Sequence, residues 1–137
     1  MSVTVITNFD GFQREFVREI HNLIDSATLI HRGEITKLLT NRPSSPPVST
    51  AGQVPHNVTS NLAGGWFTTR TRASGAKVAA SVYTNVKYAR ALEFGFPENN
   101  LKARPYVNES VKRAVVRINK MINVPVMVAR AAARLGF

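Results

Sequence analysis

The sequence predicts a small α+β domain in the order α–β–β–α–α, and three observations predict it. Apolar residues recur at three- and four-residue steps towards both ends of the chain, the mark of amphipathic helices. Between them, residues 66–84 change to strand formers with two-residue alternation around a glycine-containing turn. A length of 137 residues, 44% of them apolar, suits one domain with a modest core.

A long helix is expected over 10–41. Phe12, Phe16, Ile20, Leu23, Ala27, Ile30, Ile35 and Leu38 form its apolar stripe, Asn8 or Asp10 can cap its start, and Pro43 stops it. At 1.5 Å per residue it would run about 46 Å, against a radius of gyration of about 14 Å for a compact chain of this size. It therefore either breaks near His31-Arg32-Gly33 or projects beyond its own domain. Residues 42–62 carry four of the seven prolines among small polar residues and read as an extended loop or arm.

The 66–84 segment predicts a β-hairpin. Trp66–Thr71 is the outgoing strand, Arg72–Lys77 the turn and Val78–Thr84 the return. Val78, Ala80 and Val82 then share one face, Ala79, Ser81 and Tyr83 the other, and Arg70, Arg72 and Lys77 cluster at the tip. Lys87–Phe94 reads as a short helix that Gly95 ends. After an irregular stretch with Pro97 and Pro105, a C-terminal helical region is expected over 108–134, capped by Asn108. Its buried stripe is Val111, Ala114/Val115, Ile118 and Met121/Ile122, with a basic stripe of Arg113, Arg117 and Lys120 alongside. Pro125 interrupts the pattern, which resumes with Arg130 and Arg134.

Charge is the first pointer to a partner. The net charge is +10, unevenly spread: four basic and five acidic residues over 1–41 give −1, fourteen and three over 42–137 give +11. Such a field favours polyanions, either nucleic acid or an acidic protein surface. The absence of cysteine excludes disulfide scaffolds, thiolate zinc sites and cysteine nucleophiles. No run approaches the roughly 20 apolar residues of a membrane span, and the first residues do not form a secretory leader, so no membrane partner is expected.

A search for catalytic chemistry finds no constellation. His21, His31 and His56 lack paired-ligand spacing, and no glycine-rich phosphate loop opens a helix. Glu15 and Glu19 read as a solvated face beside Arg18. Glu93, isolated between Leu92 and Phe94, suits pairing with an arginine better than acid catalysis. Neither an enzyme, a cofactor nor a bound metal is expected. Nucleic-acid motifs are missing too, leaving a basic hairpin tip and a basic helical stripe that track phosphates without reading sequence.

The order of segments resembles a known family. Val58-Thr59-Ser60-Asn61-Leu62-Ala63-Gly64-Gly65-Trp66 looks like the "VDTGxLRxSW" segment of bacteriophage tail-completion (neck) proteins. Thr84-Asn85-Val86-Lys87-Tyr88-Ala89-Arg90-Ala91-Leu92-Glu93-Phe94-Gly95 is similar to that family's "TNxxYAxxxEFG", and Lys102-Ala103-Arg104-Pro105-Tyr106-Val107 to its "xARPFL". Ser60 stands where a glycine is usual, Asn57 where a proline is common, and Ala63 where a basic residue is frequent. The resemblance implies a non-enzymatic virion protein of the neck, made in the host cytoplasm. It would join tail to head in a long-tailed phage as a ring, commonly sixfold, around the DNA passage. Its partners would be the head connector or stopper and the tail terminator or tail tube, with non-specific contact to genomic DNA. Subunit contacts would fall on Tyr88, Leu92, Glu93, Phe94, Gly95, Arg104, Pro105 and Tyr106, with Glu93 paired to Arg104. The aromatics among them serve equally well as monomer core. Arg70, Arg72, Lys77, Arg113, Arg117 and Lys120 would face the channel or an acidic partner ring. The alternatives are a tail terminator that caps the tube and a free, sequence-independent DNA binder.

Overall fold

In the computed structural model, which describes residues 8–40, 51–53, 61–75 and 77–136, one helix forms the spine of an α+β fold. Helix α1 (Phe9–Thr40) is unbroken through Gly33. The Asn8 side chain caps it, its Oδ1 accepting from Gly11 N at 2.9 Å. Of the two outcomes left open by its length, the break near Gly33 does not occur, and instead of projecting the helix is covered by the chain's own C-terminal segment as far as Glu15. Its C-terminal turns bury Ile35, Leu38 and Leu39 in the core with Leu62, Ala63, Trp66, Ala89 and Tyr106. Further back, Phe12, Phe16, Ile20, Leu23, Ala27 and Ile30 are only half-buried, so the predicted stripe is deep at one end and shallow over the rest.

Most of the expected 42–62 arm lies outside the described residues. Its last two positions do not: α2 (Asn61–Gly64) is a helical turn that sends Leu62 and Ala63 into the core. Leu62 is thus a core residue rather than part of an arm, since the apolar pair packs under α1.

The hairpin is present but divided, and of the expected Arg72–Lys77 turn Arg72, Ala73, Ser74 and Lys77 are strand, because they pair with each other and with Val78 and Ala79. Strand β1 (Trp66–Thr68) pairs antiparallel with β4 (Val82–Thr84), and β2 (Arg72–Ser74) with β3 (Lys77–Ala79). Thr68 faces Val82 and Arg72 faces Ala79, so residues 69–71 oppose only 80–81. That extra residue is a β-bulge, which ends one ladder and re-aims the next. Thr69 holds the joint: its N–H donates to Ser81 O (2.9 Å) and its Oγ1 accepts from Ser81 N (2.8 Å). The predicted faces survive. Val78, Ala80, Val82 and Thr84 are half-buried, whereas Ala79, Ser81 and Tyr83 are exposed.

Helix α3 (Ala89–Phe94) starts two residues later than expected. Gly95 follows with φ 81° and ψ 168°, a region open almost only to glycine. A Cβ there would also lie 2.9 Å from Leu101 O, where the chain folds back through the Phe96–Leu101 bridge.

The C-terminal region is two helices. Helix α4 (Val107–Met121) begins one residue before the expected cap, and α5 (Val124–Ala133) follows after Ile122 and Asn123. Pro125 sits in the first turn of α5, where a missing N–H costs nothing, so it starts this helix rather than interrupting the last. The Asn123 side chain caps it, accepting from Val126 N at 3.1 Å. Both helices pack on α1: in α4 Ser110 meets His31 and Arg117 meets Glu34, and the C-terminal segment then runs back along it, Arg130 meeting Glu19 and Arg134 meeting Glu15.

Candidate functional site

Two regions gather the residues singled out from sequence. The first is the corner between α3 and α4. Arg104 N donates to Leu92 O at 2.7 Å, which brings Pro105 and Tyr106 back beside α3. There the Glu93 carboxylate meets the open end of α4. Its Oε2 accepts from the N–H groups of Tyr106 (2.8 Å) and Val107 (2.9 Å), its Oε1 from Asn108 (3.1 Å). The first turn of any helix has N–H groups without intrahelical partners and a positive dipole end, so a carboxylate suits it. Two expectations are corrected here. Glu93 does not pair with Arg104, because three backbone donors occupy its oxygens. Asn108 does not cap α4, because it lies inside the first turn and donates to Glu93.

Tyr106 is fully buried, its ring 6.0 Å from Trp66 edge-on and its hydroxyl donating to Ala89 O at 3.3 Å. Burial pushes its phenol pKa up, with the nearby Glu93 charge adding to the effect. Of the two roles open to it, core is the one the fold gives it. Leu92 is half-buried against the same core. Tyr88 and Phe94 instead point outward, Phe94 with 75% of its surface exposed. Phe94 lines a cavity of about 600 Å³ together with Trp66, Arg90, Glu93, Pro105 and Val107 among others. The indole Nε1 of Trp66 is buried there without a hydrogen-bond partner among the described residues.

The second region is basic. Arg70, Arg72 and Lys77 are exposed on the β2–β3 arm. Asp25 of α1 holds this arm: its Oδ1 accepts from Thr71 N at 3.0 Å and from the Thr71 hydroxyl. Those hydrogen bonds keep the Asp25 carboxyl below the usual range, helped slightly by His21 and Arg70. The α4 stripe is less free than its spacing suggests. Arg113 pairs with Glu109 (3.3 Å), and Arg117 pairs with Glu34, which Lys37 also approaches at 3.5 Å. The Arg117 hydrogen bond is the main cause of the depressed Glu34 pKa. Lys120 is exposed without an acidic partner among the described residues.

Sequence reasoning missed how the acids are used. Glu19 is buried between Arg134 (2.6 Å) and Arg130 (3.8 Å), and Glu15 meets both Arg18 and Arg134. Glu15 thus keeps the Arg18 pair its spacing predicts, but both acids also clamp α1 to the C-terminal segment; Arg130 and Arg134 lie over a hundred positions away, and local spacing carries no sign of them. Six of the eight acids are engaged by the chain's own groups. Only Asp10 and Glu98 have no partner among the described residues. The positive field is consequently left to exposed cations.

His31 and Ser110 form another unforeseen contact, at 3.1 Å. The Ser110 hydroxyl donates its proton to Val107 O (2.6 Å), so the histidine contributes Nε2–H. Desolvation holds the His31 pKa down. Beside this pair lies an apolar groove of about 390 Å³ between α1, the β3–β4 face and α4. Among the described residues, no group of three histidines or acids could hold a metal, and no helix is long and apolar enough to cross a membrane. Comparisons with protein-family models, curated proteins and solved structures return no match.

Proposed function

We propose that the chain is a structural protein of a phage neck, completing the tail and joining it to the head connector as a ring around the DNA channel. In this reading it acts in the virion, after synthesis in the host cytoplasm, and performs no chemistry. The observation that carries the proposal is the apolar surface left uncovered by a single copy. Phe94 lines a cavity, Tyr88 is exposed, and the amphipathic stripes of α1 and α4 are only partly covered. Aromatic and apolar side chains left uncovered in this way suit burial against other copies. Aromatic residues are favoured at the centre of such contacts, which gives Tyr88 and Phe94 the anchoring role and leaves Leu92, Gly95, Pro105 and Tyr106 to shape the corner beneath them.

The charge suits the same reading. Copies of this chain have too few free carboxylates to neutralise one another's cations, so subunit contacts are apolar and the basic surface meets a polyanion. The arm with Arg70, Arg72 and Lys77, together with Lys120, offers uncommitted cations to DNA or to an acidic neighbouring ring. Arg113 and Arg117 contribute less, being held by Glu109 and Glu34. A tail terminator shares every one of these features and differs only in which ring it meets. A free DNA binder accounts for the charge but not for the uncovered aromatics.

Light scattering on the purified chain, with negative-stain images of the same fractions, tests the proposal. Closed rings, or oligomers that grow with concentration, are the expected result. A strict monomer that binds duplex DNA tightly in low salt would replace the neck reading with the free binder.

A further inference from the structure

The outward face of the hairpin carries more than charge. Along the return strand Lys77, Ala79, Ser81 and Tyr83 are exposed, whereas Val78, Ala80, Val82 and Thr84 are half-buried. Residues directly opposite one another in an antiparallel pair share a face. Phe67 is opposite Tyr83, Arg72 opposite Ala79 and Ser74 opposite Lys77, so all six lie on the exposed face. The Phe67 and Tyr83 rings stand side by side, their centroids 5.8 Å apart, and each residue keeps 43% of its surface exposed. From Tyr83 to Lys77 is six steps of strand, at most about 20 Å. An aromatic pair at one end and two cations towards the other thus share one open surface.

We propose that this face binds single-stranded DNA, with unpaired bases stacking on Phe67 and Tyr83 and phosphates meeting Arg72 and Lys77. Aromatic side chains beside a cationic track suit a single strand, because every base has a π-face and every nucleotide a charge. Charge complementarity selects a polyanion. Arg72 and Lys77 are exposed without an acidic partner among the described residues, and Asp25, the acid that ties down this arm, is engaged by Thr71. The remainder of the face speaks against a protein partner. Ser74, Ala79 and Ser81 are small, which leaves the two aromatics as its large apolar side chains, whereas the centre of a protein interface is apolar and poor in charge. Duplex DNA, whose bases are already stacked, offers phosphates to the cations but no base faces to Phe67 and Tyr83. Base stacking goes beyond the phosphate contact of the neck reading and does not require copies to close into a ring.

Anisotropy of a labelled oligothymidine of about 20 nucleotides, longer than a typical single-strand site, and of a duplex of equal length tests this at fixed low salt. A merely cationic surface favours the duplex, whose charges lie closer together, one per about 1.7 Å. The chain is expected instead to bind the single strand about tenfold more tightly or better, the gain from two stacked bases. Threonine keeps strand propensity without an aromatic ring. Phe67→Thr and Tyr83→Thr are therefore each expected to weaken single-strand binding about fivefold or more, with little change for the duplex. Tyr83→Phe keeps the stacking surface and the affinity, and Arg72→Ala with Lys77→Ala weakens both ligands. Thermal melting checks that each variant folds, and the wild-type preference needs no variant at all. A preference for the duplex overturns the stacking face, as do aromatic variants that fold and bind the single strand like the wild type. Closed rings in light scattering combined with a duplex preference overturn the face and leave the neck reading standing. A strict monomer that prefers the single strand through Phe67 and Tyr83 upholds the face and overturns the neck reading.

Discussion

Glu93 shows how one side chain decides a local structure. Its carboxylate replaces the cap that Tyr106 cannot supply and fixes the angle between α3 and α4. Replacing it with alanine leaves three N–H groups without that partner, and the expected loss is about 1–3 kcal/mol in urea unfolding. Glutamine is expected to recover part of the loss, since one oxygen remains but the charge opposite the helix end does not. His31 sets a pH dependence. Its folded pKa lies below the ordinary 6.5, so as pH falls through that value the unfolded chain takes up a proton that the folded chain resists. Melting temperature is therefore expected to fall from neutral pH downward, and His31→Gln to flatten that limb. A further drop begins below about 4.5, the ordinary value for Glu34, because the Arg117-bonded carboxylate must be protonated for the chain to lose it.

Among the elements, α1 is held by two different means. Its C-terminal turns are buried in the core, whereas its N-terminal half is tied to α5 through Glu15, Glu19, Arg130 and Arg134. Arg134→Ala leaves the buried Glu19 carboxylate with only the longer Arg130 contact. Arg134 is 37% exposed, so solvent screening keeps the expected cost to about 1–2 kcal/mol. Hydrogen exchange locates that loss: amides of α5 and of residues 9–20 should exchange faster, while those around Leu38 and Tyr106 keep their protection. Uniform loss of protection would mean that α5 and the core unfold as one unit. The β2–β3 arm is the other separable element. It turns away at the bulge and is tied to α1 through Asp25 and Thr71.

At the scale of the whole molecule, the distribution of charge makes the most direct prediction. If the free cations of the arm meet phosphates, affinity for duplex DNA falls with salt at a slope of about 0.9 per phosphate neutralised. Arg70→Ala, Arg72→Ala and Lys77→Ala together should reduce that slope by about 3. Arg113→Ala should change it little, since that guanidinium already faces Glu109. Equal effects from both sets, measured by anisotropy across a salt series, would mean that the ion pairs on α4 open on binding.

The long helices, the hairpin faces and the chain-reversing Gly95 were legible in the sequence because each depends on neighbours within a few positions. Periodicity, alternation and turn chemistry are local, and they fixed the α+β class and the excess of positive charge. Tertiary structure alone decided the partners. Glu93 meets α4 rather than Arg104, Glu19 lies between Arg130 of α5 and Arg134 at its end, and Leu62 enters the core, because each depends on which distant segment packs alongside. The same packing decided that Tyr106 is interior while Phe94 is surface, although one sequence pattern marked both as aromatic anchors. A stripe of apolar residues states that a face is to be buried; only the arrangement of the other elements determines whether the chain itself buries it.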